Sequence, residues 1–409
     1  MKLTKIEKSW ILYDVGNSAF VLLISTIIPI YFKNTAADSG ISAANSTAFW
    51  GYAASIATVI VAVMGPILGT MGDNEGYKKK LFSLFFVIGV IGCSVLAVPA
   101  SWMVFLLLFI IAKVGLSGSL IFYDSMLTDI TDDDRMDEIS SNGYAWGYLG
   151  SCIPFVLCMG LILTADKTGI GTLNATRASF LITAVWWIFS TMPLMKNYKQ
   201  MYFVEKTEHP IKECFARLSE TLKDIQGNMS VYTFLIAFFL YIDGVYTIIE
   251  MATSYGKDVG ISDNNLLLAL LLTQVVAFPF AILFGRLSKR ISTIKLISVC
   301  IIGYLGISLF ALQLDRAWEF WFLAVCVAVF QGAVQALSRS YYAKIIPKNK
   351  SNEYFSFYDI FGKGAAFFGT VLMSAVTQLT GSSKYGVASI ALLFVLGFIF
   401  FQIHLKKTK

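Results

Sequence analysis

Hydrophobic residues run along this chain in stretches of about 20, and short polar segments separate these stretches. An α-helix rises about 1.5 Å per residue, so a stretch of this length crosses the roughly 30 Å hydrocarbon core of a bilayer. Each stretch therefore predicts one membrane-spanning helix. The approximate bounds of the twelve predicted spans are 10–32, 47–71, 81–100, 103–127, 140–163, 178–195, 231–254, 264–287, 295–313, 318–342, 354–379 and 385–404.

A longer polar segment, residues 196–230, divides the spans into two groups of six. Apolar residues recur in it at helical spacing, which predicts an amphipathic helix at the membrane surface. The predicted apolar face consists of Ile211, Phe215, Leu218, Leu222 and Ile225. The expected organisation is an N-terminal six-helix bundle at 1–195, a cytoplasmic linker at 196–230 and a C-terminal six-helix bundle at 231–409.

Lysine and arginine are concentrated in alternate loops. If both termini are cytoplasmic, the cytoplasmic segments carry about four times as many of these residues as the opposite side. The first hydrophobic stretch is too long for the core of a signal peptide and contains Asp14 and Asn17. We therefore expect it to remain as the first span, with both termini in the cytoplasm.

The composition excludes several classes of protein. Of 409 residues, 56% are hydrophobic and only 14% are charged, which leaves too little polar surface for a soluble enzyme or a disordered chain. The net charge of +6 is explained by the cytoplasmic loops, so we expect no nucleic-acid partner. With two histidines and no C-x-x-C pair, we expect neither a metal site nor a cofactor. No nucleotide-binding loop or nucleophile–histidine pairing is visible, so neither an enzyme nor an ATP-driven pump is expected.

The two halves repeat each other at a spacing of 215 or 216 residues. Gly69 and Gly285 close the second and eighth spans, and Asp124 and Arg339 lie near the inner ends of the fourth and tenth. Two halves of the same topology imply a pseudo-symmetry axis along the membrane normal and a substrate path between the halves.

The loop after the second span reads GTMGDNEGYKKK, from Gly69 to Lys80. It resembles the signature G-x-x-x-D-x-x-G-x-[KR]-x-[KR] of the major facilitator superfamily. The resemblance implies an all-α polytopic membrane protein with 12 transmembrane helices in two pseudo-symmetric six-helix bundles. In this loop, Asp73 is expected to cap a helix N-terminus.

A more specific resemblance extends over both halves. Five segments are similar to the vacuole-effluxer family, which contains autophagy-related protein twenty-two of fungal vacuoles and many bacterial relatives. These segments are 9–20, 241–250, 272–279, 331–340 and 357–363. The resemblance implies a secondary transporter of a bacterial cytoplasmic membrane, and amino-acid efflux is the activity attached to the fungal members.

The second copy of the signature loop departs from the pattern, because Lys289 replaces the acidic residue and Ser292 the second glycine. We expect Lys289 and Arg290 to face the acidic segment 132–138, and Asp73 to meet the start of the eleventh span. We hypothesise that these contacts latch the cytoplasmic side in the outward-open state. The alternative is a solvated acidic loop, since exposed ion pairs contribute only about 0–1 kcal/mol. The predicted cytoplasmic gate consists of Gly69, Asp73, Gly76, Asp124, Asp137, Glu138, Lys289, Arg290 and Arg339.

Polar residues inside the spans are the candidates for a substrate and proton cavity, because a charge at mid-bilayer costs about 2.5–3.5 kcal/mol or more and avoids lipid. The candidates are Asp14, Asn17, Lys113, Asp243, Thr247, Glu250, Gln274, Gln335 and Lys363. Both charge signs suit a zwitterion, with a lysine for its carboxylate and an aspartate for its ammonium. Desolvation also favours a protonated carboxyl, which would permit proton coupling. Alternatively, these residues form fixed ion pairs that orient helices.

The interpretation that unites these features is rocker-switch secondary transport of a small polar solute. An amino acid or a related metabolite is the expected cargo, with efflux slightly favoured over uptake. Export of amphipathic compounds or lipids is one alternative, and a membrane sensor or scaffold without transport activity is another. The expected partners are the lipid bilayer, a small-molecule substrate and, where transport is coupled to them, protons. We expect the protein to be a monomer.

Overall fold

The structure, a computed structural model, is helical along almost all of the chain that it describes. It describes residues 3–98, 101–204, 210–258, 260–314 and 316–408. Within these ranges it leaves undescribed the side chains of 43–44, 47–48, 210–217, 253–254, 257–258, 263–264, 267, 363, 365–367 and 408. The only strand-like feature of the described residues is an isolated bridge between Asn74 and Val204.

Within the described residues, nine α-helices precede the polar linker. They are α1 (Lys5–Ser25), α2 (Ile27–Asp38), α3 (Ala43–Gly72), α4 (Tyr77–Val95), α5 (Trp102–Ser125), α6 (Leu127–Ile130), α7 (Asp133–Leu163), α8 (Ala165–Thr168) and α9 (Thr172–Asn197). The linker contains α10 (Pro210–Gly227). It is followed by α11 (Met229–Asp258), α12 (Asp263–Leu287), α13 (Thr293–Phe310), α14 (Ala317–Ile345), α15 (Ser351–Thr380) and α16 (Ser383–Thr408).

The prediction of an all-helical membrane protein is confirmed. In the described part of the chain, ten helices are long and apolar enough to cross a membrane. Two predicted spans are not among them. The stretch 81–100 corresponds to α4, whose first turn contains three lysines. The stretch 354–379 corresponds to α15, where the apolar segment found among the described residues, Phe368–Thr380, is shorter than a membrane span. These two remain predictions as membrane spans.

The first predicted span, 10–32, differs from expectation because it is broken into α1 and α2. The break is at Thr26, whose backbone leaves helical geometry and whose hydroxyl donates to the carbonyl of Leu22 at 2.6 Å. Pro29 follows in the first turn of α2, where its missing N–H costs no helical hydrogen bond. The start of α1 is set by a capping box between Thr4 and Glu7.

The chain forms two compact units that differ from the sequence-based division. The first comprises Met1–Ile130, Trp146–Cys214 and Asn349–Ser356. The second comprises Thr131–Ala145, Phe215–Lys348 and Phe357–Lys409. Each unit therefore holds most of one predicted bundle together with the start of one helix from the other half. The boundaries 1–195, 196–230 and 231–409 did not anticipate this exchange.

Each unit has an aromatic core of its own. In the first, Trp10 stacks on Tyr123 with ring centroids 4.4 Å apart, and Trp187 is fully buried. In the second, Phe238 stacks on Tyr358 at 4.1 Å. Large buried rings hold helices together in a bilayer because packing, rather than water exclusion, drives helix association there.

The linker helix α10 spans the predicted amphipathic stretch. On the predicted apolar face, Ile225 is buried and Leu222 is 43% exposed, whereas the side chains of Ile211 and Phe215 lie outside the described residues. Its location at the membrane surface remains a prediction.

Candidate functional site

Asp73, directly after α3, reaches the start of α15. We call this the Asp73 contact. Its Oδ1 accepts hydrogen bonds from the backbone N–H of Asn352 at 2.9 Å and from Asn352 Nδ2 at 2.8 Å, and its Oδ2 accepts one from the N–H of Glu353 at 2.9 Å. The first N–H groups of a helix have no partner within the helix and carry partial positive charge. The fully buried Asp73 carboxyl therefore caps α15.

Close packing of backbones makes the Asp73 contact possible. A Cβ on Gly69 would lie 2.7 Å from the carbonyl oxygen of Asn352, so only glycine fits without a shift of backbone. On the other side, the Ser125 hydroxyl donates to Asn352 Oδ1 in a short hydrogen bond. Asn352 is thereby held from three sides by polar partners and backbone.

A buried ion pair lies beside the Asp73 contact. Lys78 Nζ is 2.8 Å from Asp129 Oδ2 and donates to Ser351 Oγ at 2.9 Å, and both charged side chains are fully buried. Burial raises the pKa of Asp73 to about 7, and the charge of Lys78 together with the backbone donors of Glu353 and Asn352 limits the rise. The Asp73 carboxyl therefore takes up a proton near neutral pH.

Asp137, in the first turns of α7, forms the corresponding contact of the second unit. We call it the Asp137 contact. Asp137 Oδ2 accepts from Thr293 Oγ1 at 2.6 Å and lies 2.7 Å from Lys344 Nζ, and Oδ1 accepts from Ser340 Oγ at 2.6 Å. A Cβ on Gly285 would lie 2.6 Å from Ser141 Cβ, so glycine is again needed for close packing.

Two further ion pairs flank the Asp137 contact. Lys289 Nζ lies 2.6 Å from Glu138 Oε2, and Lys348 Nζ lies 2.8 Å from Asp133 Oδ1. The Lys289 side chain is 43% exposed, so solvent screens this pair. Arg290 is exposed and forms no ion pair with a described residue, in contrast to our expectation that it would face the acidic segment.

Arg339 is buried beside the Asp137 contact. Its Nε donates to Ser140 Oγ at 2.9 Å and its Nη2 to the Ser140 carbonyl at 3.1 Å. Its guanidinium also lies over the ring of Tyr144, 4.4 Å from the centroid. This arginine ties α14 to the start of α7. Asp124, at the equivalent point of the repeat, is half-buried.

Asp243 is the most fully enclosed carboxylate within a membrane helix among the predicted cavity residues. Its Oδ1 accepts from the backbone N–H of Gly369 at 2.7 Å and from Thr247 Oγ1 at 3.4 Å. Its Oδ2 has no hydrogen-bond partner in the described part of the chain. A Cβ on Gly369 would lie 2.4 Å from Oδ1, so this approach to the backbone requires glycine.

A cavity of about 120 Å³ lies within the second unit, one helical turn from Asp243. Thr247, Gln274 and Gln331 supply polar groups to its wall, and Gln274 Oε1 has no hydrogen-bond partner among the described residues. Most of the wall is apolar and includes Ile248, Leu270, Phe320, Leu323, Val327 and Ile390. Gln335 is not in the wall, but its Nε2 donates to the carbonyl of Gln331 at 3.2 Å.

The remaining predicted cavity residues fall into other groups. In the first unit, Asn17 Nδ2 donates to Asp14 Oδ1 at 3.2 Å, and Lys113 Nζ donates to the Ala54 carbonyl at 3.4 Å. Glu250, in the second unit, is exposed and does not line the cavity.

One predicted cavity residue cannot be placed, because the side chain of Lys363 lies outside the described residues. Among the predicted residues, the structure thus brings together Asp243, Thr247 and Gln274 in the second unit, and Asp14 and Asn17 in the first.

The sequence of residues 41–409 matches the model of the family described as "Vacuole effluxer Atg22 like". The chain belongs to this family. A relative in Bacillus subtilis (strain 168), named "Uncharacterized MFS-type transporter YxiO", is 44% identical over 403 residues, which cover 97% of this chain and 94% of the relative. "Autophagy-related protein 22" of Eremothecium gossypii is 21% identical over 441 residues, covering 92% of this chain and 86% of that protein.

Solved structures give the same fold for this vacuole-effluxer family member. A double-tryptophan mutant of XylE matches with a TM-score of 0.74 at 13% identity, covering 98% of this chain and 94% of that one. The human organic anion transporter MFSD10 (TETRAN) matches with a TM-score of 0.71 at 12% identity, covering 97% and 98%. The major facilitator superfamily fold is therefore confirmed.

Membership of the family establishes the general activity. The chain is an integral membrane protein and a secondary transporter that works by alternating access on small molecules. This confirms the coarse part of the sequence interpretation.

Several residues of the two contacts were missed by sequence reasoning. They are Lys78, Ser125, Asp129, Ser140, Thr293, Ser340, Lys344 and Asn352. A signal for three of them was present, because the repeat spacing relates Ser125 to Ser340 and Asp137 to Asn352. Extending the repeat from the glycines to the polar residues around them would have identified these pairs.

Proposed function

We propose that this vacuole-effluxer family member exports a small polar solute, an amino acid or a related metabolite, from the bacterial cytoplasm, with coupling to protons. The proposal rests mainly on Asp243, a carboxylate with no exposed surface in a membrane-spanning helix. Intramembrane carboxylates are costly, and they are typical of substrate and proton pathways.

The surroundings of Asp243 support a role in binding. Among the described residues its hydrogen-bond partners are a backbone N–H and a hydroxyl, neither of which neutralises its charge. The carboxylate can therefore be balanced by a substrate ammonium or by a proton. Thr247 bonds to Asp243 and also lines the cavity, so it connects the carboxylate to a space that can hold solute.

Efflux is the proposed direction because the family is described as vacuole effluxers. The concentration of lysine and arginine in alternate loops supports a cytoplasmic location of both termini. In the first unit, Lys113 is the candidate group for a substrate carboxylate, and Asp14 is a second candidate for an ammonium.

Export of amphipathic compounds is a second candidate function. The observation that favours it is the wall of the cavity, where apolar side chains outnumber the polar ones, which include Thr247, Thr273, Gln274, Ser308 and Gln331. A solute with an apolar body and one or two polar groups would fit this lining.

Counterflow in proteoliposomes tests the proposal. Proteoliposomes that contain the purified chain are loaded with a pool of unlabelled amino acids, and the uptake of each labelled amino acid is followed. A second pool of amphipathic cations is tested in the same way. We expect counterflow of at least one amino acid and a loss of about tenfold or more in Asp243→Asn. Asp38→Asn, the same change at an exposed aspartate, is the control.

Each outcome decides between the functions. Counterflow of only amphipathic cations would favour the second candidate, and counterflow of neither pool would contradict both proposed cargo classes. Wild-type counterflow in Asp243→Asn would show that Asp243 does not contact the cargo.

A further inference from the structure

The segment that follows α9 runs back along the loop after α3. We call residues 198–204 the strap. Val204 N–H donates to the Asp73 carbonyl at 2.8 Å, within the isolated bridge between Asn74 and Val204. Gln200 Nε2 donates to the Gly72 carbonyl at 3.2 Å, and its Oε1 accepts from Gly76 N–H at 3.0 Å. A single side chain thus joins both ends of the turn that carries Asp73.

Asp129 anchors the strap a second time. Its Oδ1 accepts from the N–H groups of Met201 at 3.1 Å and Tyr202 at 3.0 Å, and its Oδ2 accepts from Tyr198 OH at 2.5 Å. The same carboxylate holds Lys78, which donates to Ser351 at the start of α15. The strap, the Asp73 turn and the start of α15 therefore belong to one connected network.

The anchors of the network are buried, whereas most of the strap is exposed. Asp73 and Lys78 have no exposed surface and Tyr198 is 2% exposed, but Met201 and Tyr202 are 62% and 41% exposed. Burial and the charge of Asp129 raise the pKa of Tyr198 well above its usual range, so Tyr198 remains a neutral donor to that carboxylate. When one buried group of such a network loses its hydrogen-bond partner, the neighbouring buried group loses a partner as well, so we expect these groups to open together.

We propose that the strap holds the Asp73 contact closed, with Gln200 as its positioning residue. The strap holds the turn at both of its ends, at Gly72 and at Gly76, so release of the strap frees Asp73 to leave the start of α15. The linker that continues from residue 204 is thereby coupled to the gate, and a change in the linker alters the opening of the contact. This inference rests on alternating access but is independent of the cargo.

Labelling of a reporter thiol tests the role of Gln200. Ser356 is buried against Gly69 in the closed contact, so a cysteine at this position (Ser356→Cys) reacts with a maleimide only when the contact opens. Gln200→Met keeps the volume of the side chain but removes its two hydrogen bonds to the turn, at Gly72 and Gly76, and the one that its Nε2 donates to the carbonyl of Tyr202. The loss of the two hydrogen bonds to the turn is expected to speed labelling about tenfold. Gln226→Met, the same change at an exposed linker position, is the matched control.

A wild-type rate in a monodisperse Gln200→Met protein would overturn the proposal, as would equal acceleration by Gln226→Met. The chain without the reporter gives the background of the native cysteines. Since labelling needs no substrate, it is unaffected by a failure of the counterflow experiment, and the two failures are distinguishable.

Hydrogen exchange on the unmodified chain gives a test that needs no variant. If the strap and the contact open as one unit, the N–H groups of Met201, Tyr202 and Val204 exchange within tenfold of those of Asn352 and Glu353. Exchange of the strap amides more than tenfold faster would show that the strap frays independently and would overturn the proposal.

Discussion

The Asp73 and Asp137 contacts have the same packing but place their charges differently. In each, a glycine at the end of one helix lies against the first turns of another, Gly69 in one case and Gly285 in the other. A serine donates to the polar residue at equivalent points, Ser125 to Asn352 and Ser340 to Asp137. The repeat has therefore kept the backbone approach and the serine in both units.

The difference lies in which side carries the carboxylate. In the Asp73 contact the loop supplies it, and its partners are mainly N–H groups at a helix terminus. In the Asp137 contact the start of the helix supplies it, and its partners are hydroxyls and Lys344. Close packing of the helices is thus compatible with either arrangement of charge, provided that every buried polar group finds a partner.

Asp73→Ala is expected to have the largest effect, because it leaves buried N–H groups of α15 without an acceptor. The cost should be about 3 kcal/mol, or about a hundredfold faster labelling of Ser356→Cys. Labelling kinetics and the thermal unfolding midpoint measure it, with Asp38→Ala as the exposed control. Equal behaviour of the two variants would mean that Asp73 does not stabilise the contact.

Asp137→Asn is expected to cost less, about 2 kcal/mol, because the amide oxygen still accepts from one of the two hydroxyls while the ion pair with Lys344 is lost. A double-mutant cycle with Lys344→Met should give a coupling energy of about 1–2 kcal/mol in thermal or denaturant unfolding. Strict additivity of the two changes would contradict the ion pair.

The pH dependence of stability should also distinguish the two contacts, and its effect on the free energy of unfolding, taken per pH unit, is the smallest of the three. The pKa of Asp73 is raised from 3.8 to about 7 in the folded protein, so proton uptake favours the folded state. This contribution is fully present below about pH 4 and is lost as the pH rises through about 7, at about 1 kcal/mol per pH unit. The difference in unfolding midpoint between wild type and Asp73→Asn, followed from pH 5 to 8, measures it. A constant difference across that range would refute the titration of Asp73.

Particular residues show how far the sequence could be followed. The segment from Gly69 to Lys80 predicted the fold and the approach of Asp73 to the eleventh predicted span, because the signature spacing is local and repeated. Asn352 and Asp129 were not predicted. An asparagine or aspartate near a helix end often bonds to its own local backbone, and only the distant partner shows that it has a different role. The strap was assigned to a generic linker for the same reason.

The pattern of apolar stretches and the repeat spacing determined the helical membrane fold and the doubled arrangement, because a bilayer imposes span length and turn chemistry on the sequence directly. Only the tertiary structure decided which polar groups meet. Asp243 accepts a hydrogen bond from Gly369, 126 residues away in the sequence. Asn352 donates one to Asp73, 279 residues away. Contacts of this range depend on how helices pack, and helix packing is a property of the assembled bundle that no local pattern encodes.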